Sequence, residues 1–337
     1  MSAAAAALPE LVLEQFGGAG GWDEAVKMLR RPERIVGVDI APDAVSTARA
    51  AGHERVLGSV TEQRFEDWLR AVGLISSPVC PTFSDSGLRS GLADYQLVLD
   101  VWTSIGWGIP AEVAMADARE RITDPRTALL ATAGIWALSL PNLRWLAMEQ
   151  VPAVEFAWED LAAELSDQGW AWVDVYTLDA AQFGLPARRR RSYLVARRYA
   201  PPRAGYVNLA TSTGPSMAGA LGWDPGHRVV TRGNRKPTGG GSFSADGPSW
   251  CLTGRSRSWE READRLRLTE SEAGLLNGFR RDYPWTGSRT SRFRQAGDVV
   301  SPVMGAHILG ATMDVDPRPA ITDHLAALYA PRHALAA

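Results

Sequence analysis

Cys80 stands between two prolines, in the run Ser76-Ser77-Pro78-Val79-Cys80-Pro81-Thr82-Phe83-Ser84. Proline fixes φ and resists helix entry, so the sequence predicts a stiff turn that holds this thiol outside regular structure. Two readings of Cys80 are open. One is a small buried hydrophobe, since free cysteine is among the most buried residue types. The other is a thiolate nucleophile at the carboxyl edge of a parallel sheet, where α/β enzymes gather their chemistry. Three more side chains bear on the choice. Glu149 sits at the end of an apolar run just before Pro152, a place that suits a cleft better than a core. Arg189 and Arg191 lie in Ala187-Arg188-Arg189-Arg190-Arg191-Ser192-Tyr193, which reads as the entry to a strand. Period-2 alternation sends Arg189 and Arg191 to one face and Arg188 and Arg190 to the other. One pair can then enter a cleft while the other stays in water.

These residues need a scaffold, and the chain offers an α/β one. Leu11 to Phe16 reads as a strand, Gly17-Gly18-Ala19-Gly20-Gly21 as a turn, and Trp22 to Leu29 as a helix. Strand, glycine turn, helix is the nucleotide-binding start of a doubly wound sheet. The dinucleotide fingerprint itself is absent, because no third glycine falls at its spacing. Arg34 to Ile40 is a second strand, and Asp39 at its end can accept hydrogen bonds from ribose hydroxyls. A helix cap or a plain surface acid is the alternative for Asp39. Pro42 to Gly52 reads as a helix, Arg55 to Val60 as a third strand, and Ala71 to Ile75 as the fourth, ending at the Cys80 turn. Residues 88–126 show no clean period and read as a mobile loop with short helices. A helix over Ala128 to Leu138, a strand over Leu143 to Pro152, a helix over Trp158 to Gln168 and a strand over Trp170 to Tyr176 follow.

From about Tyr199 to Asp264 the composition shifts to Gly, Pro, Ser, Thr and Arg, which predicts a small strand-and-loop domain. Thr269 with Glu272 forms a capping-box pattern at a helix start, and an apolar helix runs from Val303 to Leu309.

Composition is that of an ordinary globular chain, 45% hydrophobic and 22% charged over 337 residues. The apolar stretch from Ala128 to Val151 is broken by Pro141, Asn142 and Arg144, so no membrane span is expected. Two cysteines without CxxC spacing argue against a disulfide framework and against structural zinc. A cytoplasmic protein without bound metal is the expectation. The net charge of −2 hides a polarity: residues 1–186 carry 13 basic and 26 acidic side chains, residues 187–337 carry 23 and 12. A basic second half with clustered arginines points to a polyanion partner.

Taken in order, these stretches resemble the cytosine-C5 DNA methyltransferase family. Phe16-x-Gly18-x-Gly20-Gly21 matches its first motif, and Pro78-Val79-Cys80 with Phe83-Ser84 resembles its Pro-Cys nucleophile motif. Glu149-Gln150-Val151 resembles its Glu-Asn-Val motif, and Ala187-x-Arg189-x-Arg191 its Gln-x-Arg-x-Arg motif. Leu268-Thr269, Glu272, Gly278-Phe279 and Gln295-x-Gly297 match late motifs, so the resemblance spans about residues 11–310. The Cys-Phe-Thr signature of the transfer-RNA-methylating branch is not found.

The resemblance implies a Rossmann-like S-adenosylmethionine-dependent sheet formed by residues 1–197 and 265–337, with a target-recognition domain at 198–264. It implies catalysis by Cys80, Glu149, Arg189 and Arg191. It implies cofactor contacts from Phe16, Gly17, Gly18, Ala19, Gly20, Gly21, Asp39, Ile40, Ser59, Val60 and Asp298. The expected partner is double-stranded DNA, bound by a monomer. A catalytically weak DNA-binding relative, or a methyltransferase of RNA or free nucleotides, are the alternatives. The chain departs from the family at Val79, Pro81, Gln150, Ala187, Arg280 and Asp298, and Ser59 stands where an aspartate is common. Cys251 is read as packing within the small domain.

Overall fold

A computed structural model describes residues 9–79, 91–202, 213–231 and 240–330. Cys80 and Pro81 lie outside the described residues. The chain runs β1 (Leu11–Gln15), α1 (Gly21–Met28), β2 (Arg34–Asp39), α2 (Pro42–Ala50), β3 (Glu54–Leu57), β4 (Ala71–Ser76), α3 (Gly91–Gly106), α4 (Ala111–Arg121), α5 (Pro125–Ser139) and β5 (Trp145–Gln150). It continues with α6 (Glu155–Asp167), β6 (Trp172–Asp179), β7 (Arg190–Arg197), α7 (Met217–Leu221), β8 (Arg228–Thr231), β9 (Ser242–Ser244) and β10 (Trp259–Arg261). The last elements are α8 (Glu270–Leu276), α9 (Arg289–Asp298), α10 (Pro302–Thr312) and α11 (Arg318–Tyr329).

The first seven strands form one sheet in the order β3-β2-β1-β4-β5-β7-β6. β1 to β5 run parallel; β7 is antiparallel to both neighbours. Burial on both faces explains why the strands read as continuous apolar runs. Their side chains alternate between two cores. Leu13, Val38, Leu74, Leu146, Met148 and Leu194 pack with α3 to α6 on one face. Val12, Ile35, Ile75, Ala147 and Val195 pack with α1 and α10 on the other.

A three-stranded antiparallel sheet, β10-β8-β9, carries the third core. Met217, Phe243, Leu252 and Trp259 share that core with Leu275, Phe279 and Phe293 of the α8 and α9 region. The capping box is present: Thr269 Oγ1 accepts from Glu272 N, and the Glu272 carboxylate accepts from Thr269 N at 2.8 Å.

The stretch 88–126, expected as a mobile loop with short helices, is corrected in its described part. Its described part is two regular helices, α3 and α4, with α5 opening at Pro125 under an Asp124 cap. β3 also ends earlier than expected, at Leu57, because Ser59 caps a short turn over Val60–Glu62. No described helix is long and apolar enough to cross a membrane. Among the described residues no group of His, Cys, Asp and Glu could hold a metal ion.

Candidate active site

The parallel strands end on one side of the sheet, and a cavity of about 1210 Å³ opens there. Its floor is the turn after β1. Phe16 adopts φ 56° and Gly18 φ 53°, both left-handed. For a non-glycine residue that conformation costs about 1–2 kcal/mol, so Phe16 must be held by its surroundings. Gly17 N donates to Val38 O at 3.1 Å, and Gly18 N to Asp39 Oδ2 at 2.8 Å. Tyr283 Oη donates to Ala19 O at 2.5 Å. A Cβ on Gly18 would meet no atom closer than 4.0 Å, which leaves open cavity above the turn.

Asp39 also accepts from Ala41 N through Oδ1 at 2.8 Å. Each carboxylate oxygen thus takes one backbone N–H and keeps lone pairs for a ligand's hydroxyls. Asp39 thus organises the turn through these two bonds and lines the cavity. Ile40 beside it is 72% exposed, an apolar surface ready for a flat ring. Ser59, Val60 and Asp298 line the same space, as do Gly17, Ala19 and Gly21. Gly20 stands outside the lining; it caps α1 at φ 99°, and a Cβ there would meet His53 and Tyr283.

The reversed direction of β7 completes the site. Its first residues lie beside the last residues of β5, with Glu149 opposite Tyr193 and Gln150 opposite Ser192. Arg191 Nε therefore reaches Glu149 Oε1 at 2.9 Å. Burial works against the charge on Arg191, but the Glu149 carboxylate outweighs it and holds the guanidinium pKa above its ordinary value. Arg189 is buried and turns to α9, donating to Gly297 O at 2.7 Å and Asp298 O at 3.1 Å. Burial, reinforced by the like charge of Arg191, pushes the Arg189 pKa down. Arg188 and Arg190 are exposed, as the alternation requires.

Asp298 opens its carboxylate to the cavity, where burial by the surrounding protein pushes its pKa up against the pull of Arg189 and Arg294.

Two residues carry more than the sequence suggested. In the sequence Gln150 is only a departure from asparagine. Its Nε2 donates to Pro78 O, and its Oε1 accepts from Val151 N at 2.6 Å. It braces the segment that leads toward Cys80, and Trp22 Nε1 adds a bond to Ser77 Oγ at 3.0 Å. Pro78 and Val79, the last described residues before Cys80, line the cavity.

Cys251 is the other case. It is read as packing in the small domain; it is half-buried there, and it also stands close enough to Arg191 to help hold that guanidinium charged. Arg188 N donates to Ser249 O at 2.9 Å and Ser249 N to Pro186 O at 2.8 Å, which lays the Cys251 segment along the arginine run. Nothing local in the sequence signals this pairing.

The chain matches no protein-family model and no curated sequence. Solved structures do match. The Entamoeba histolytica methyltransferase EhMeth superposes with a TM-score of 0.64 at 14% identity, over 91% of this chain and 98% of that one. The S. pombe Dnmt2 methyltransferase gives 0.62 at 16% identity, over 90% and 98%. A putative DNA modification methyltransferase encoded within a prophage of E. coli gives 0.61 at 15% identity, over 91% and 99%. The superpositions extend over nearly the whole of each of these chains. The chain has the Rossmann-like fold of these methyltransferases.

Proposed function

We propose that the chain is a divergent cytosine-C5 methyltransferase that acts on duplex DNA. The observation that carries this reading is the pairing of Glu149 with Arg191 on the same cavity that the glycine turn and Asp39 line. The residues fit S-adenosylmethionine: Asp39 offers lone pairs to ribose hydroxyls, Ile40 an apolar face to adenine, and the open space above Gly18 room for the rest. When bound, that cofactor supplies the methyl group.

The chain's own residues supply the rest. The proposed nucleophile, Cys80, follows Val79 by one peptide bond. A free thiol has a pKa of about 8.5, and nearby cationic groups lower it. Arg189 and Arg191, which line the same cavity as Pro78 and Val79, are the cations proposed to furnish part of such a field. The Cys80 thiolate adds to C6 of the cytosine and makes C5 nucleophilic. Glu149 binds the exocyclic amine and holds a proton at N3, while Arg191, fixed by Glu149, holds O2. After methylation a water molecule takes the C5 proton, the C5–C6 double bond re-forms, and the C6–S bond breaks to release the Cys80 thiolate. The base must leave the duplex, by a rotation of about 180°, to reach this pocket. Exposed arginines such as Arg188, Arg190, Arg255, Arg257 and Arg294 contact phosphates, and the region 198–264 reads base edges.

Transfer of labelled methyl groups to duplex DNA, RNA and free cytidine nucleotides tests the reading. Incorporation into duplex DNA, mapped to cytosine by bisulfite sequencing, supports it. Incorporation into RNA or nucleotides alone overturns the substrate, and duplex binding without any transfer identifies a catalytically weak relative.

Two quantitative expectations accompany this reading. DNA affinity should fall with salt at a slope of about −0.9 per phosphate neutralised, roughly a hundred-fold between 50 and 200 mM for four phosphates. Fluorescence anisotropy measures it, and a flat profile contradicts phosphate binding by the basic half. Asp39→Ala should weaken S-adenosylmethionine binding about ten- to a hundred-fold, since charge-assisted hydrogen bonds contribute about 1.5–3 kcal/mol. Calorimetric titration against wild type reads the loss.

A further inference from the structure

Arg55 sits on β3, at the edge of the large sheet, yet its side chain is fully buried. The guanidinium reaches back across β2 toward β1 and α1. Nη1 pairs with Glu14 Oε2 at 2.5 Å, and Nη2 pairs with Asp23 Oδ2 at 2.5 Å. Glu14 precedes the glycine turn and Asp23 follows it, so one cation ties both flanks.

The path is open only because two residues lack a side chain. A Cβ on Gly37 would lie 1.3 Å from Arg55 Nη1, and a Cβ on Gly17 would lie 1.8 Å from the same atom. Neither glycine has positive φ, so backbone conformation does not demand glycine at either place. The arginine does. Two residues before Arg55, His53 packs where a Cβ of Gly20 would be, and its Nε2 lies 3.0 Å from Glu24 Oε1. The start of β3 therefore supports the turn at two of its glycines. A planar guanidinium suits this slot: it is thin and its two donors are fixed in a fork, whereas a lysine ammonium offers one point of charge.

We propose that Arg55 is a positioning residue for the cofactor site, a strap that joins the flanks of the glycine turn and keeps Phe16 in its left-handed conformation. The proposal rests on the reading of this turn as the S-adenosylmethionine site. Burial of Glu14 and Asp23 commits both carboxylates to the strap rather than to ligand.

Arg55→Lys and the near-isosteric Asp23→Asn test it, the latter loosening one arm while filling the same space. Both are checked for folding by circular dichroism. Amide hydrogen exchange of residues 17–22 is expected to quicken about ten-fold or more in each folded variant, with amides of β5 and β7 unchanged. S-adenosylmethionine binding by calorimetry is expected to weaken about ten-fold. Gly37→Ala should lower the unfolding temperature sharply in the wild-type background and far less in an Arg55→Ala background. Turn amides that exchange as in wild type, or a Gly37→Ala effect independent of Arg55, overturn the strap. A wild-type protein that binds no S-adenosylmethionine overturns the cofactor reading instead, and the exchange and unfolding measurements still decide on Arg55.

Discussion

Cys80→Ser is expected to abolish methyl transfer, by about 10⁴-fold or more, while DNA binding stays within a few-fold of wild type. A serine hydroxyl is scarcely ionised at neutral pH, and the cavity carboxylate Glu149 is engaged by Arg191. The arginines proposed to bind phosphates are untouched by the change. The comparison is sharpened by the second thiol. Cys251 lies beside Arg191 and is the other candidate for any residual nucleophile. Single-turnover transfer by Cys80→Ser, Cys251→Ala and the double variant separates them. Transfer that survives Cys80→Ser but fails in Cys251→Ala would move the nucleophile to the small domain and end the mechanism given above.

The second large effect belongs to the Glu149–Arg191 pair. Glu149→Gln should lower the transfer rate by about 10³-fold, because an amide cannot hold the N3 proton as a carboxylate does. It should also destabilise the fold. Removing one partner of a buried ion pair costs about 3–5 kcal/mol, and the slight exposure of Arg191 places the expected loss at the lower end, about 3 kcal/mol. Adding Arg191→Met removes the orphaned charge. The double variant should regain most of the stability in urea denaturation and none of the activity. Recovery of activity with stability would show that the pair is a fold determinant alone.

The sequence was most informative where the periods are short and the residues adjacent. Alternation in Arg188 to Arg191 was enough to separate the buried arginines from the exposed ones, and strand, glycine turn and helix were each legible from local pattern. α3 and α4 were not, though they carry a helical signal. Val98, Val101, Trp102 and Ile105 form the buried stripe of α3, at a spacing that a charge-dotted window disguised. α4 buries Ala111, Ala114, Met115 and Ala118, mostly alanines, which mark a helix by propensity more than by hydrophobicity. The edge strand β3 hid Arg55 for a different reason. Its partners Glu14 and Asp23 are contributed by other elements, so no local pattern distinguishes it from a surface arginine. Gln150 likewise gains its meaning only when β5 lies beside β4, and Cys251 only when its segment runs along the arginines that lead into β7.

The packing of α10 on α1 has a consequence for how the protein is made. Gly305 lies against Ala25 and Trp22, and Gly21 lies against Val300, so the outer face of α1 is covered by a helix near the far end of the chain. A ribosome adds about 5–20 residues per second, which leaves that apolar face bare for on the order of tens of seconds. The nascent sheet waits with one side unsealed. Fragments ending before residue 302 should therefore engage chaperones or aggregate. A separately expressed piece spanning α9 to α11 should associate with such a fragment and render it soluble, because the surface it would meet is the one that this helix occupies in the finished molecule.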